Sequence, residues 1–263
     1  MAGVYSFGAS RNHVGGAESL ALWAPRFAEV LGERLGTQVS LHVAEDYERL
    51  LHAVEYGAVQ VSWLPPLLQS RAEAAGARLV AVTQRGGRLT YRSAVLVRRD
   101  GRFPDARSLR GARAAWLDPF SASGYVFPRL ELVALGATFS SETFHGSLAS
   151  AFDAVARGEA DVCACFVGNP TPEDPGRAAA DAARTAGPHA SELRIVHVTG
   201  PIPGDAIAVS RGVPDASCAA IADSLVHLHE SGPGLEVIRE MLHADCFVRI
   251  TPEVRAQLGL AAG

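Results

Sequence analysis

The sequence predicts an α/β protein of two lobes, each an open sheet flanked by helices, with a central ligand cleft between the carboxyl ends of the sheets. Three observations lead there. Short apolar strand-like runs alternate with amphipathic helical segments from the N-terminus onward. The alternation restarts after the Gly86-Gly87 break, giving two similar blocks at about 4–85 and 113–198. The chain crosses between them twice, near 86–91 and near 200–204, if its final helices return to the first block. Two lobes joined by two crossings form a clamshell that can close. The expected division is 1–90 with 201–263 as lobe 1 and 91–200 as lobe 2.

In the first block, strands are expected at Val4–Phe7, Val39–Val43, Val59–Trp63 and Leu79–Thr83. Between them lie helices at Leu20–Leu35, ending at Gly36, from Asp46-Tyr47 to Gly57, and at Leu67–Ala75 after Pro65-Pro66. Tyr91–Arg98 is a further strand. The second block reads as an Arg113–Leu117 strand, the Ser121–Gly124 loop and a helix to Leu135 with Leu130, Val133 and Ala134 on one face. A short strand ending at His145, a Ser147–Arg157 helix and an Asp161–Val167 strand follow. The proline-containing stretch 169–191, with Pro170, Pro172, Pro175 and Pro188, is loop plus a helix around Arg177–Thr185. Leu193–Val198 and Ala206–Ser210 are strands, and the tail is expected to be helical at Cys218–Ser231 and Leu235–Ala244.

The 263 residues suit one large domain or two of ordinary size, and 48% hydrophobic with 20% charged residues suits a globular chain with a real core. A net charge of −4 supplies no basic field for nucleic acid or an anionic membrane. All 24 basic residues are arginine, which excludes a Walker A loop, a Schiff-base lysine and a Ser–Lys dyad. No run is long and apolar enough to span a membrane. Met-Ala-Gly leads straight into strand-like residues rather than a secretory leader. The expected compartment is therefore cytoplasmic if Met1 is the native start, or periplasmic or extracellular and lipid-anchored if a leader has been removed. Cys163 and Cys165 share one face of a strand and read as buried free thiols, with no metal set nearby.

Leu117–Pro128 is the stretch around which the rest is arranged. An apolar strand, Ala114–Leu117, is stopped by Asp118-Pro119, and a small hydroxyl-rich loop then opens a helix. Free backbone N–H groups and a helix dipole converge there, as they do on oxyanions, although Ser before a helix is also an ordinary N-cap. In the expected topology the other strand-end loops bring Ser10–His13, Asp46-Tyr47, Trp63-Leu64, Thr90-Tyr91, His145, Phe166-Val167 and Asp205 to the cleft. There is no nucleophile elbow, no carboxylate pair for acid–base work and no metal-spaced cluster. Hydroxyls, N–H groups, aromatics and histidine remain. Arg85, Arg88, Arg92, Arg98, Arg99 and Arg102 cluster in sequence and read as a mostly solvated face near the hinge.

Across nearly its whole length the chain resembles the phosphonate/phosphite/phosphate substrate-binding proteins of ABC transporters. The matching residues are Asp46-Tyr47, Val61-Ser62-Trp63-Leu64, Thr90-Tyr91-Arg92-Ser93, the Asp118-Pro119-x-Ser121-x-Ser123-Gly124-Tyr125-x-x-Pro128 loop, His145 with Ala151–Gly158 and Asp161-Val162, and Pro201-Ile202-Pro203-x-Asp205. The resemblance implies a type 2 periplasmic-binding-protein fold with two open mixed sheets. It implies that Ser121, Ala122, Ser123 and Gly124 grip the oxyanion, that His145 adds a hydrogen bond or charge, and that Tyr47 and Tyr91 close over the ligand. Trp63 is then cleft wall or core more than direct contact, and Asp205 is a contact or a turn residue. Ala122 stands where the family commonly has a hydroxyl, and Cys165-Phe166-Val167 offers no acid for a substrate amine. Phosphate, phosphite or a small alkylphosphonate fits better than an aminophosphonate. The expectation is a monomeric, non-enzymatic receptor that captures the ligand by hinge closure. It has no cofactor or metal, an ABC permease as partner, and neither nucleic-acid binding nor membrane insertion. The alternatives are a cytoplasmic sensor domain on the same fold and, less favoured, an enzyme of prephenate or porphobilinogen type.

Overall fold

The computed structural model describes residues 5–13, 16–170 and 175–260. Val4 and Pro172 lie outside the described residues. The chain divides into two compact units, Met1–Thr90 with Pro203–Gly263, and Tyr91–Ile202.

In the first unit, β1 (Tyr5–Ser10), β2 (Val39–Ala44) and β3 (Val61–Leu64) are linked through α1 (Gly16–Leu35) and α2 (Tyr47–Glu55). Both β2 and β3 pair parallel to β1, as crossover helices require. Asp46 caps α2 by accepting from Arg49 N, so the Asp-Tyr dipeptide starts this helix. After α3 (Pro66–Ala74) come β4 (Arg78–Gln84) and, from the returning chain, β11 (Ala206–Val209), α7 (Asp215–Val226), α8 (Gly232–Leu242), β12 (Cys246–Arg249) and α9 (Pro252–Leu258). Strand β11 inserts antiparallel between β3 and β4, giving the order β12-β4-β11-β3-β1-β2. The expected all-helical tail is thus corrected: Cys246–Arg249 is an edge strand antiparallel to β4. Phe7, Phe27 and Phe247 stack in this core, with ring centroids 4.6 and 6.3 Å apart.

The second unit holds β5 (Thr90–Arg98), β6 (Ala112–Trp116), β7 (Phe139–Phe144), β8 (Val162–Val167) and β9 (Leu193–Val198). Its sheet runs β10-β5-β8-β6-β7, where β10 is Ile202–Pro203 and β9 also pairs with β5. Strands β6, β7 and β8 are parallel, and β5 is antiparallel to β8. Because β8 is covered on both faces its residues alternate between two cores. Cys163, Cys165 and Val167 join Phe152 and Val155 of α5 (Leu148–Ala156), while Val162 and Ala164 join Trp116 and Leu132 of α4 (Phe127–Ala134). The cysteines are free, and burial pushes the Cys165 thiol up to about 12. Strand β8 leads on to α6 (Pro175–Ala186).

Helix α4 buries Pro128 and Leu132, whereas Leu130, Val133 and Ala134 face solvent.

Candidate functional site

Each unit presents its own cluster at the carboxyl ends of its parallel strands, the edge where open α/β sheets bind ligands. In the first unit, Ser10–His13 leave β1, Tyr47 begins α2, Trp63 nears the end of β3, and Asp205 precedes the antiparallel β11. The Tyr47 hydroxyl donates to the Asn12 carbonyl, and its ring lies 6.1 Å from that of Trp63. Trp63 also packs at 4.5 Å against the imidazole of His13. Both Trp63 and His13 are 1% exposed. Burial, reinforced by His243 and Arg85, depresses the His13 pKa to about 3, so the ring is neutral at any physiological pH.

Arg85 corrects a sequence expectation. It is not part of a solvated face: it is 4% exposed and anchors the edge from within. Its Nη2 donates to Asp205 Oδ2 at 2.7 Å and to the Leu242 carbonyl at 2.9 Å, Nη1 donates to Thr83 Oγ1 at 2.7 Å, and Nε donates to the His243 carbonyl at 3.1 Å. Asp205 is therefore the buried partner of an arginine. Burial pushes its carboxyl above the ordinary value, with Arg85 opposing that rise. The Trp63 indole N–H faces the same carboxylate without reaching hydrogen-bond geometry. Of the other clustered arginines, Arg92 is half-buried and donates to the Thr199 carbonyl, while Arg88, Arg99 and Arg102 are exposed.

In the second unit the 117–126 loop is built by its own hydrogen bonds. Asp118 turns the chain by accepting from Phe120 N at 2.7 Å, and Leu117 N donates to the Gly124 carbonyl at 3.2 Å. Ser121 caps a π-turn, Ala122–Val126, that runs directly into α4, and its hydroxyl accepts from Gly124 N at 3.0 Å. The N–H groups of Ala122 and Ser123 fall in the first turn, where a helix offers no acceptor of its own. The helix dipole behind them adds partial positive charge at this point. Gly124 is required sterically: a Cβ there would sit 2.7 Å from both Leu117 Cβ and Ser121 Oγ. The hydroxyl of buried Ser93, at the start of β5, donates to the Ser123 carbonyl at 2.6 Å, while its backbone is held by Thr199.

His145 follows β7, and its backbone N–H donates to the Trp116 carbonyl just before the loop. Its ring is held on both sides, Nε2 3.0 Å from Thr143 Oγ1 and Nδ1 3.3 Å from Ser150 Oγ. Tyr91 is buried with its ring 5.2 Å from that of Phe166. The structure thus brings Tyr47, Trp63 and Asp205 to one unit's edge, and Tyr91, Ser121, Ala122, Ser123, Gly124 and His145 to the other's.

Sequence reasoning missed three groups. Arg85 was visible only as one arginine among many. Ser93 lay in a recognised motif but carried no assigned contact. Asp181 of α6 reaches back so that its Oδ2 accepts from Gly168 N at 2.9 Å, which places an acid just beyond β8 where none was expected. No group of His, Cys, Asp and Glu suited to a metal ion occurs among the described residues, and no helix among them is long and apolar enough to cross a membrane.

Two units of mixed α/β sheet, made by a chain that passes from the first to the second and back, define the class of two-lobed binding proteins. A family model described as "ABC transporter, phosphonate, periplasmic substrate-binding protein" matches residues 16–254. The chain belongs to that family. Among solved structures it is similar to a binding-protein component of an ABC phosphonate transporter from Pseudomonas aeruginosa, with a TM-score of 0.79 and 18% identity over 97% of this chain and 83% of that one. PhnD1 from Prochlorococcus marinus, in complex with methylphosphonate, has a TM-score of 0.79 and 14% identity over 99% and 100% of the two chains. A Xanthomonas citri protein bound to chloride ion has a TM-score of 0.72 and 22% identity over 97% and 95%. Comparison with curated proteins finds no match.

Proposed function

We propose that this chain is the receptor of an ABC importer and captures a small phosphorus oxyanion between its two units, which close on it by a hinge movement. Phosphate, phosphite and short alkylphosphonates are the ligand class, the permease is the downstream partner, and the periplasm is the compartment. The observation that carries this reading is the Ser121–Gly124 turn, where a capped helix start supplies first-turn N–H groups within a phosphonate-binding family. The site can hold an anion by N–H and hydroxyl donors alone, without lysine, and no step of bond making is assigned to it. Ser121 Oγ accepts from Gly124 N and so keeps its own proton for a ligand oxygen. Ala122 supplies only its N–H, which shifts recognition towards the backbone. His145 serves as an additional donor once a ligand oxygen displaces one of its hydroxyl partners. Tyr47, Tyr91 and Trp63 act as walls. A neighbour in complex with methylphosphonate supports the ligand class, and the transporter family model favours the receptor over the sensory alternative.

Isothermal titration with phosphate, phosphite and methylphosphonate tests this. Saturable one-to-one heat with at least one of them is expected. Silence from all three at millimolar concentration refutes the receptor reading.

A further inference from the structure

The carboxylates at the two strand-end edges share one property: each is already engaged by its own unit. Asp181 accepts from Gly168 N and pairs with Arg184. Asp118 is turned back onto Phe120 N. Asp205, the most deeply set, is held by Arg85, and this pair is buried on both sides, with side-chain exposures of 4% and 6%.

We infer that Arg85 is a specificity-determining residue: as the standing counter-ion of Asp205 it closes that carboxylate to any cationic substituent on the ligand, so the protein takes phosphorus oxyanions whose remaining substituent is uncharged. The inference rests on the proposed function and narrows its substrate class.

The argument is geometric. Four donor contacts fix the guanidinium: Asp205 Oδ2, Thr83 Oγ1 and the carbonyls of Leu242 and His243. Two of these come from β4 and β11 flanks and two from the end of α8, so the group cannot swing aside without breaking ties to three segments. Arginine does not give up its proton in a protein, which makes the positive charge permanent. A ligand ammonium approaching Asp205 would therefore share one carboxylate with a fixed guanidinium in a dry setting, where like charges repel strongly. Neutral His13 adds no negative charge to offset this. An uncharged methyl or propyl group meets no such penalty.

The test is calorimetric and compares propylphosphonate with 2-aminoethylphosphonate, which have the same heavy-atom skeleton. The wild-type protein should bind the propyl compound at least tenfold more tightly. Replacing Arg85 with methionine, Arg85→Met, frees Asp205 and should move that ratio at least tenfold towards the amine. If Arg85→Met does not fold, the wild-type comparison decides alone. Equal or tighter binding of the amine by the wild type, or an unchanged ratio in a folded Arg85→Met variant, overturns the inference and leaves the proposed function standing. Absence of binding to phosphate, methylphosphonate and propylphosphonate alike overturns the proposed function, and this inference falls with it.

Discussion

Substituting Gly124 by alanine tests whether the 121–124 turn is built as described. The added methyl would lie 2.7 Å from Leu117 Cβ and 2.7 Å from Ser121 Oγ, with Leu117 Cδ2 at 3.3 Å. Leu117 and Ser121 are both buried, so neither can retreat into solvent. Overpacking a core in this way costs about 1–3 kcal/mol. Displacing the Ser121 hydroxyl also weakens the cap on Gly124 N, worth about 1 kcal/mol. Together these predict a loss of about 2–4 kcal/mol, concentrated in the second unit, and a melting temperature lowered by several degrees. Oxyanion affinity should fall as well, because the same displacement moves the first-turn N–H groups. Gly232→Ala is the control: that glycine is exposed and a Cβ meets nothing within 4 Å. Scanning calorimetry and titration with methylphosphonate measure both effects. A Gly124→Ala protein with wild-type melting and wild-type affinity would refute the steric argument.

Three further outcomes are expected. Ser93→Ala leaves the Ser123 carbonyl without its 2.6 Å donor and should cost about 1–3 kcal/mol in thermal unfolding, with weaker ligand binding by titration although Ser93 is given no ligand contact. Asp205→Ala leaves a buried guanidinium uncompensated and should destabilise the first unit by about 3–5 kcal/mol in chemical denaturation; a change below about 1 kcal/mol contradicts the buried-pair assignment. For His13 the folded pKa of about 3 lies below the unfolded value near 6.5, so the unfolded chain binds the extra proton between them. Its contribution is complete above about pH 6.5 and is lost as pH falls towards about 3, by up to ~1.4 kcal/mol per unit. Unfolding measured across that range should show a flatter acid limb in His13→Phe than in the wild type.

What the sequence made legible was local. Asp46 before Tyr47 announces the start of α2, because a capping carboxylate and the first turn are three residues apart. The alternation Val162-Cys163-Ala164-Cys165 announces a strand buried on both faces. The Ser121 cap on Gly124 N is equally local, and so the turn could be singled out from sequence. Distant pairings were not legible. Arg85 and Asp205 are 120 residues apart, and nothing in either neighbourhood announces the other. Asp181 reaches Gly168 only because α6 folds back over β8. Strand β12 is four residues whose partner, β4, lies far back in the chain, so its neighbourhood reads as more helix. Leu130, Val133 and Ala134 share a face of α4, but their apolar character does not announce that this face is exposed and that Pro128 and Leu132 are the residues buried.

The central claim is that the Ser121–Gly124 turn holds the ligand's phosphorus oxyanion. A crystal structure of the protein soaked with methylphosphonate tests it most directly. The account predicts phosphonate oxygens about 3 Å from Ser121 Oγ and from the backbone nitrogens of Ala122 and Ser123. Methylphosphonate bound in full occupancy elsewhere, with that turn contacting only its own unit, would contradict it.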